Sequence, residues 1–594
     1  MNILGLSAHY HDASAALAVD GELIATVAEE RFSRLKHDPN HPRLAIDSCL
    51  AHAGLTAQDL DAVYFYEEPH TKFTRVLVST LGGFPGTAGR FVQSMRTWLG
   101  DRLWLGNQLS KVLDLHPDRI HFVPHHLSHA AQAFLGSPFD DAAILTVDAV
   151  GEWASTSLAV GSWSDPGEIR VLETLPYPHS LGLFYAAFTA FLGFRPNDGE
   201  CSTMALAAFG QPTRVDDVRR VLALHHDGTY ALDGKCFDFT ATKGSPFTRR
   251  FTDIFGEPRG FRSPVPLSVR GDHEPPTAEL QVYLDLAASV QVVLEDALLG
   301  LCRRLHERTG LDRLCLAGGV ALNCVANTRI LAESPFTDLF IPPDPGDGGG
   351  AAGAAMYGAW QAGDTARPTY HPFLGPADPV DGIPAWVDHV EDELWTPGRD
   401  GSDGVQVEQL PPDALVEQVV SDLVDGRVVG WFQGRLESGP RALGNRSILV
   451  QPSHTEACDR LGLAIKKRAS FRPYALSIAE EDARRVLELP DPTPLPAHWM
   501  QMVVPILPQA RDSTRGAQHV DGTTRPQVCR QADNPRYHAL LRAHAERTGT
   551  PGLLNTSFNE RGYPIVATAN DALLVFARTP MDTLVVGDLI YRKG

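Results

Sequence analysis

Two histidines and a carboxylate stand close together in HHLSHAAQAFLGSPFDDAAILTVDAVG, residues 125–151. His125 and His129 lie four apart in an Ala- and Leu-rich run that favours a helix, so their imidazoles share a face. Gly136 can end that helix. The run AAILTVD then reads as a buried parallel strand that ends in Asp148. Two imidazoles and a carboxylate from adjacent elements suit a divalent metal. The same pattern also describes a helix with two ordinary histidines and a strand ending in a turn Asp. Further on, Asp347 precedes the Gly/Ala-rich stretch GGGAAGAAMYGAW. It is either a fourth ligand or the N-cap of that helix, which must pack very closely.

The second set is cationic. ESGPRALGNRS carries Arg441 and Arg446, IKKRASFRP carries Lys466, Lys467, Arg468 and Arg472, and HVDGTTRPQV carries Arg525. Gly or Pro punctuates each group, which predicts loops. Guanidinium forks suit phosphate and carboxylate oxygens, so converging loops of this kind would bind a polyanion such as ATP or an acyl phosphate. The alternative is a solvated basic surface. NTSFNERGYPIV adds Asn555 and Ser557 as neutral donors. Between the two sets, RLCLAGGVALNCVANTRI reads as a strand, a Gly318-Gly319 turn and a helix beginning near Ala321. Free N–H groups at such a turn suit a nucleotide phosphate or ribose, although close strand–helix packing explains the glycines equally well.

The elements that position these residues show a repeated layout. NILGLSAHYHDASAALAVDGELIATVAEE reads as strand, turn, strand, Asp20-Gly21 turn, strand. AAILTVDAVGEWASTSLAVGSWSDPGEIRVLETL repeats it, which points to a duplicated domain with each first turn facing a cleft. Two unrelated meanders are the alternative. Helices are expected at 43–53, 178–193 and 278–308. Residues 70–115 give little signal, and residues 211–275 read as a turn-rich surface insertion. The stretch 371–405 is rich in Pro, Gly and Asp and reads as a linker. A second domain opens with VEQLPPDALVEQVVSDLVDGRVVGWFQG, a helix leading into a buried strand.

At 594 residues the chain has room for two or more domains. A net charge of −20 argues against a nucleic-acid partner. Past about Arg427 basic residues outnumber acidic ones, which fits an anionic small substrate there. No apolar run is long enough to span a bilayer, and MNILGLSAHYHDAS does not read as a signal peptide. Eight scattered cysteines with no CxxC pair are expected to be reduced, as in the cytoplasm. There is no GxxxxGK(S/T), HExxH or GxSxG, so P-loop, zincin and serine-hydrolase chemistry are unsupported.

Taken in order, HDASAAL, EERFSRLKH, HHLSHA, TVDAVGE, LAGGVALN, PGDGGGAAGAA, SGPRALGNRS, IKKRASFRP, DGTTRPQ and NTSFN resemble the O-carbamoyltransferases. That family includes nodulation-factor carbamoyltransferases and enzymes that decorate antibiotics. The likeness runs from about residue 3 to the C-terminus and is weakest in the middle insertion. It implies an α/β architecture. An actin/Hsp70-like (ASKHA) duplicated domain over 1–370 would resemble the tRNA-threonylcarbamoylation ATPase-fold proteins. After a 371–405 linker, a twisted YrdC-like domain over 406–594 would form the carbamoyl-adenylate.

The resemblance also implies chemistry. Carbamoyl phosphate and ATP, with Mg(II), would give carbamoyl-adenylate in the C-terminal domain. A hydroxylated small molecule would receive the carbamoyl group at an Fe(II) site in the N-terminal domain. His125, His129, Asp148 and Asp347 match the metal ligands. Gly318, Gly319 and Asn323 match adenylate contacts, and His11, Asp12 and Lys36 match catalytic or orienting residues at the acceptor site. His11 is then either a general base or an orienting group beside a hydroxyl acidified by the metal. Arg441, Lys466, Arg472, Arg525, Asn555 and Ser557 match positions that hold carbamoyl phosphate and the ATP phosphates. The chain departs from the family pattern at Ser202, where a cation is expected, and at Leu476. Phe73, Phe84, Phe91, Trp98 and Trp104 hint at a large, partly apolar acceptor such as a macrolide. The competing functions are a threonylcarbamoyl-adenylate system acting on tRNA and a nucleotide-binding sensor without catalysis.

Overall fold

The computed structural model describes residues 1–84, 86–164, 167–239, 245–271, 273–364, 366–378 and 405–593. The chain forms two compact units, neither of which is one continuous stretch. The first comprises Met1–Glu29, Pro39–Pro264 and Pro276–His371; the second comprises Glu30–Asp38, Val265–Pro275 and Pro372–Gly594. The second unit therefore takes up two short segments from within residues 1–370. Most of the expected linker, 379–404, lies outside the described residues.

The duplicated layout is realised in the first unit. Strands β1 (Asn2–Ser7), β2 (Ser14–Val19) and β3 (Glu22–Ala28) form an antiparallel meander, and β4 (Ala62–Phe65) and β5 (Ile120–Phe122) add in parallel to β1. The sheet order is β3-β2-β1-β4-β5. Strands β6 (Asp141–Val147), β7 (Ala154–Ser162) and β8 (Glu168–Pro176) make a second meander. A small hairpin of β9 (Leu222–Leu224) and β10 (Tyr230–Leu232) intervenes. Then β11 (Arg313–Ala317) and β12 (Asp338–Phe340) add in parallel, giving β12-β11-β6-β7-β8. The two sheets share one connectivity, which two unrelated meanders would not produce.

The helix Gly350–Gln361 is rich in Gly and Ala because it is wedged against β1 and the histidine helix. A Cβ on Gly5 would meet Ala351 O at 2.0 Å, and one on Gly353 would meet Ser128 O at 2.0 Å. The helix Ala278–Thr309 packs into a core with Leu145, Val147, Phe184 and Phe188. Residues 211–275 do not form a mere surface insertion. Val218, Leu222, Phe237, Phe247, Phe251 and Phe255 join this core, with ring contacts such as Phe251–Phe255 at 4.5 Å. Turn-rich composition concealed these aromatics because they are spaced through short elements with no sustained period. The stretch 70–115, which gave little signal, carries the helices Pro69–Gly82, Ala88–Gly100 and Leu105–Leu113.

The second unit is a mixed nine-stranded sheet in the order β13-β21-β20-β14-β15-β19-β16-β18-β17. Its strands are β13 (Gln406–Gln409), β14 (Val429–Phe432), β15 (Arg446–Val450), β16 (Ala475–Ala479), β17 (Val504–Pro505), β18 (Thr523–Cys529), β19 (Leu553–Ser557), β20 (Thr583–Val586) and β21 (Leu589–Arg592). The amphipathic helices Pro412–Val424 and Pro535–Thr548 cover Trp431, Leu449 and Leu553.

Candidate functional site

The histidine helix is His125–Leu135, and it carries His125 and His129 one turn apart with ring centroids 4.8 Å from each other. Asp148 follows the end of β6, and Asp347 opens the tight turn before Gly350–Gln361. Asp347 does not cap that helix. Instead one ligand atom from each of His125, His129, Asp148 and Asp347 lies within 4.8 Å of all the others. His125 Nε2 is 3.2 Å from Asp148 Oδ2 and 3.6 Å from Asp347 Oδ1, and His129 Nε2 is 3.5 Å from Asp347 Oδ1. All four residues are buried.

Neighbours fix these groups in place. The His125 N–H donates to Glu152 Oε1 at 2.9 Å, Gln132 Oε1 lies 3.3 Å from His129 Nδ1, and the Gly319 N–H donates to Asp148 Oδ1 at 3.0 Å. Among the described residues His129 Nε2 has no hydrogen-bond partner, although it is sealed from water. Burial alone would lower the His125 imidazole. Asp347 and the hydrogen bond to Asp148 outweigh it and raise the pKa to about 9. Burial would raise Asp148, but the His125 bond and the charges of His125 and His129 hold it well below the usual carboxylate range. Two nitrogens and two oxygens converging in a buried space, one nitrogen without a partner, fit a divalent transition metal. His126 stays out of the set. It bonds Ser157 Oγ at 3.1 Å, and burial with the His125 charge pushes it down to about 3.

His11 and Asp12 stand beside this quartet. His11 Nδ1 is 2.7 Å from Asp12 Oδ2, and His11 Nε2 is 3.7 Å from Asp347 Oδ2. Asp12 adopts φ 53°, a left-handed conformation that Asp tolerates better than most residues. Burial would lower His11, but Asp347 and the Asp12 hydrogen bond raise it to about 9. Lys36, which the sequence groups with these two, folds into the second unit with Glu30–Asp38. There Arg34 donates to Pro564 O and Ile565 O, which ties the segment down.

The Gly318-Gly319 turn serves the quartet directly. Gly318 has φ 89°, and a Cβ there would meet Val147 O at 2.2 Å. The helix begins at Cys324 rather than near Ala321, because Asn323 is its N-cap and accepts from the Ala326 N–H at 3.1 Å. The Asn323 amide also pairs reciprocally with Gln291, at 3.0 Å in both directions. Much of the turn's hydrogen-bonding capacity is therefore used inside the protein.

In the second unit, Lys466 ends the turn that follows the helix Thr455–Arg460 and is buried. Its ammonium donates to Ser557 O at 2.8 Å, Asn559 O at 3.0 Å and Ser557 Oγ at 3.2 Å, and also to Asn559 Oδ1. Burial, then the charges of Arg468, Arg472 and Lys36, depress its pKa well below the ordinary lysine value. Arg525 lies on β18 rather than in a loop, in register with Ala475 of β16, which is also paired with Asn555 of β19. Asn555 donates to Ala442 O at 3.1 Å, Ser477 Oγ at 3.0 Å and Gln527 Oε1 at 3.1 Å, so it ties the Arg441 loop to the sheet. Glu437 Oε1 shapes that loop by accepting from the Leu443, Asn445 and Arg446 N–H groups at 2.8, 2.8 and 3.0 Å. Arg446 does not belong to a phosphate-binding set. It is fully buried, stacks 3.6 Å over the Phe432 ring and donates to Gln433 O at 2.6 Å. Ser202 sits in the helix Glu200–Ala207, also buried.

Sequence reasoning missed Gln132, Glu152, Gln291, Glu437 and Asn559. Gln132 carried a spacing signal, at i+3 from His129, and Glu152, Glu437 and Asn559 lie within the motifs TVDAVGE, ESGPRALGNRS and NTSFN without a role being read for them. The partners of Glu152, Gln291 and Asn559 are set by tertiary folding.

Comparison with known proteins gives two family matches. "Carbamoyltransferase N-terminus" covers residues 2–356, and "Carbamoyltransferase C-terminus" covers residues 420–593. An uncharacterized protein of Synechocystis sp. is 40% identical over 100% of this chain and 97% of its own length. The nodulation protein NolNO of Sinorhizobium fredii is 36% identical over 98% of this chain and 79% of its own. The 3'-hydroxymethylcephem-O-carbamoyltransferase of Amycolatopsis lactamdurans is 31% identical over 47% of this chain and 49% of its own.

Proposed function

The chain belongs to the carbamoyltransferase family, and we propose that it is an O-carbamoyltransferase that uses carbamoyl phosphate and ATP to carbamoylate a hydroxyl of a small natural product. The observation that carries this reading is the presence of two built sites of complementary chemistry. One is the buried His125, His129, Asp148 and Asp347 quartet; the other is the buried Lys466, whose charge is felt by neighbouring Arg468 and Arg472.

In the second unit, carbamoyl phosphate and water give carbamate and phosphate. The carbamate oxygen then attacks the α-phosphorus of Mg-ATP, forming carbamoyl-adenylate and expelling pyrophosphate. Two polyanions repel each other, and Lys466, Arg441, Arg472 and Arg525 offset that repulsion and the charge on the leaving phosphates. Arrival of a phosphate beside Lys466 raises its depressed pKa and keeps the ammonium charged. Asn555 holds the Arg441 loop, and Ser557 and Asn559 aim the ammonium.

In the first unit the acceptor hydroxyl attacks the carbamoyl carbon, AMP leaves, and the hydroxyl proton departs. His125, His129, Asp148 and Asp347 would hold Fe(II), which would supply Lewis acidity. His11 takes the hydroxyl proton and Asp12 fixes its ring through the Nδ1 bond. Carbamate and carbamoyl-adenylate decompose in water, which accounts for the burial of the reacting groups. A net charge of −20 disfavours a tRNA substrate. The test is ATP–pyrophosphate exchange that depends on carbamoyl phosphate, followed by AMP release when an alcohol is added. Absence of exchange rejects the reading.

A further inference from the structure

Residues 69–114 are a basic island on an acidic protein, with six Lys and Arg against two Asp in a chain of net charge −20. Three of the arginines are half-buried and stacked on aromatic rings or near them. Arg75 lies 5.3 Å from the Tyr177 ring centroid and Arg102 lies 5.6 Å from that of Trp98. Burial raises the Tyr177 phenol, and the charges of Arg75 and Arg90 pull against it. Among the described residues none of these three guanidiniums forms an ion pair, and Arg75 Nε is sealed from water with no hydrogen-bond partner. Lys72, one turn earlier, is by contrast paired to Glu67 at 2.5 Å. Glu67 and Glu152 act on Arg75 from beyond ion-pair distance, and both are engaged elsewhere, Glu67 by Lys72 and Glu152 by the Glu68 and His125 N–H groups, so the charge of this partly desolvated guanidinium is only partly offset.

Its position relates it to the quartet. The Glu68 N–H donates to Glu152 at 2.8 Å, and the His125 N–H donates to the same carboxylate, so the Arg75 helix and the histidine helix start from one anchor. Lys72 Nζ is 5.1 Å from the Tyr10 ring, which is 4.6 Å from the His11 ring. Arg75 is the next residue on that helix face. Leu81 and Leu99 on these helices, with Phe84 and Trp104 in the segments that join them, are all more than half exposed and add apolar surface.

From these placements we infer that the acceptor is an amphiphilic alcohol bearing an anionic group (phosphate, sulfate or carboxylate) that pairs with Arg75 while its apolar part lies on the 69–113 helices. The inference rests on the first unit being the carbamoyl-transfer site. A basic helix with exposed apolar residues also suits an anionic membrane. A guanidinium whose Nε is shut off from solvent favours a ligand that enters the protein over a flat bilayer.

The probes are decyl phosphate and decyl β-glucoside, each below its critical micelle concentration, titrated into the full-length protein by calorimetry. The wild type is expected to bind the phosphate at least tenfold more tightly than the glucoside. Arg75→Met should abolish that preference and leave glucoside binding within twofold, whereas Lys111→Met, at an exposed position of the same island, should keep it. Equal affinities in the wild type, a preference surviving Arg75→Met, or an equal loss in Lys111→Met overturns the inference. So does a protein that ignores monomeric decyl phosphate yet sediments with phosphatidylglycerol vesicles. Carbamoyl-phosphate-dependent exchange by the wild type is measured alongside; its absence would count against the proposed function and leave the binding result standing.

Discussion

Asp347→Asn keeps the shape of the side chain and removes one unit of charge from the centre of the quartet. Its Oδ1 lies 3.5 Å from His129 Nε2 and 3.6 Å from His125 Nε2, so a cation held by these atoms has the full charge of Asp347 beside it. At about 4 Å and an effective permittivity of ~20, two unit charges interact by about 4 kcal/mol, and a divalent ion doubles this. The amide oxygen recovers part of the loss, and Asp148 remains. An expected net loss of about 4 kcal/mol corresponds to roughly a thousandfold in Kd. The assay is anaerobic calorimetric titration of Fe(II), with Mn(II) as a redox-stable check, into metal-free wild type and variant. Thermal unfolding provides a second readout. At a metal concentration of 100 Kd the wild type should gain about 2.7 kcal/mol, and the variant almost nothing at the same concentration. A variant that binds within tenfold of the wild type would refute the reasoning, because Asp347 could then not be a ligand.

Other expectations follow from the same geometry. Lys466→Met should abolish carbamoyl-phosphate-dependent pyrophosphate exchange, since among the described residues no other ammonium occupies the Ser557 and Asn559 cradle; exchange within tenfold of wild type would count against it. The depressed Lys466 pKa means that the ammonium is lost as pH rises through a value well below that of ordinary lysine, so carbamoyl phosphate binding should weaken with rising pH. Lys466→Arg, always charged, should flatten that dependence, and an unchanged pH profile would show that another group is titrating. Gly353→Ala places a Cβ at 2.0 Å from Ser128 O, which must push the helix Gly350–Gln361 off the histidine helix. A destabilisation of about 3 kcal/mol is expected from chemical denaturation, together with weaker metal binding, and a change under 0.5 kcal/mol would disprove the close approach.

What the sequence revealed and what it concealed divide along the range of the interaction. The His125–His129 spacing and the terminal carboxylate of β6 are local features, legible because a helix and a strand have fixed periods. The duplicated meander was legible because it appears twice. Asp347 was ambiguous because its meaning depends on the close approach of the helix Gly350–Gln361 to the histidine helix. A run of Gly and Ala implies such an approach without saying what is approached. The Gly318-Gly319 turn read either as a ligand cradle or as close strand–helix packing, and the sequence did not reveal that the Gly319 N–H donates to Asp148, a pairing between residues 171 positions apart. Arg446 and Arg525 read as loop cations because Gly and Pro flank them; both begin or enter strands, and only tertiary folding buries Arg446 against Phe432. Lys36 is near His11 in the chain but folds with the other unit, which no short-range pattern could announce.

The central claim is a division of labour between the two units, and one paired measurement tests it most directly. Wild type and His129→Ala are assayed for carbamoyl-phosphate-dependent ATP–pyrophosphate exchange and, on the same samples, for carbamoyl transfer to an acceptor alcohol. The account predicts that His129→Ala exchanges pyrophosphate at close to the wild-type rate and transfers no carbamoyl group. Loss of exchange together with transfer, or transfer that survives the substitution, would contradict it.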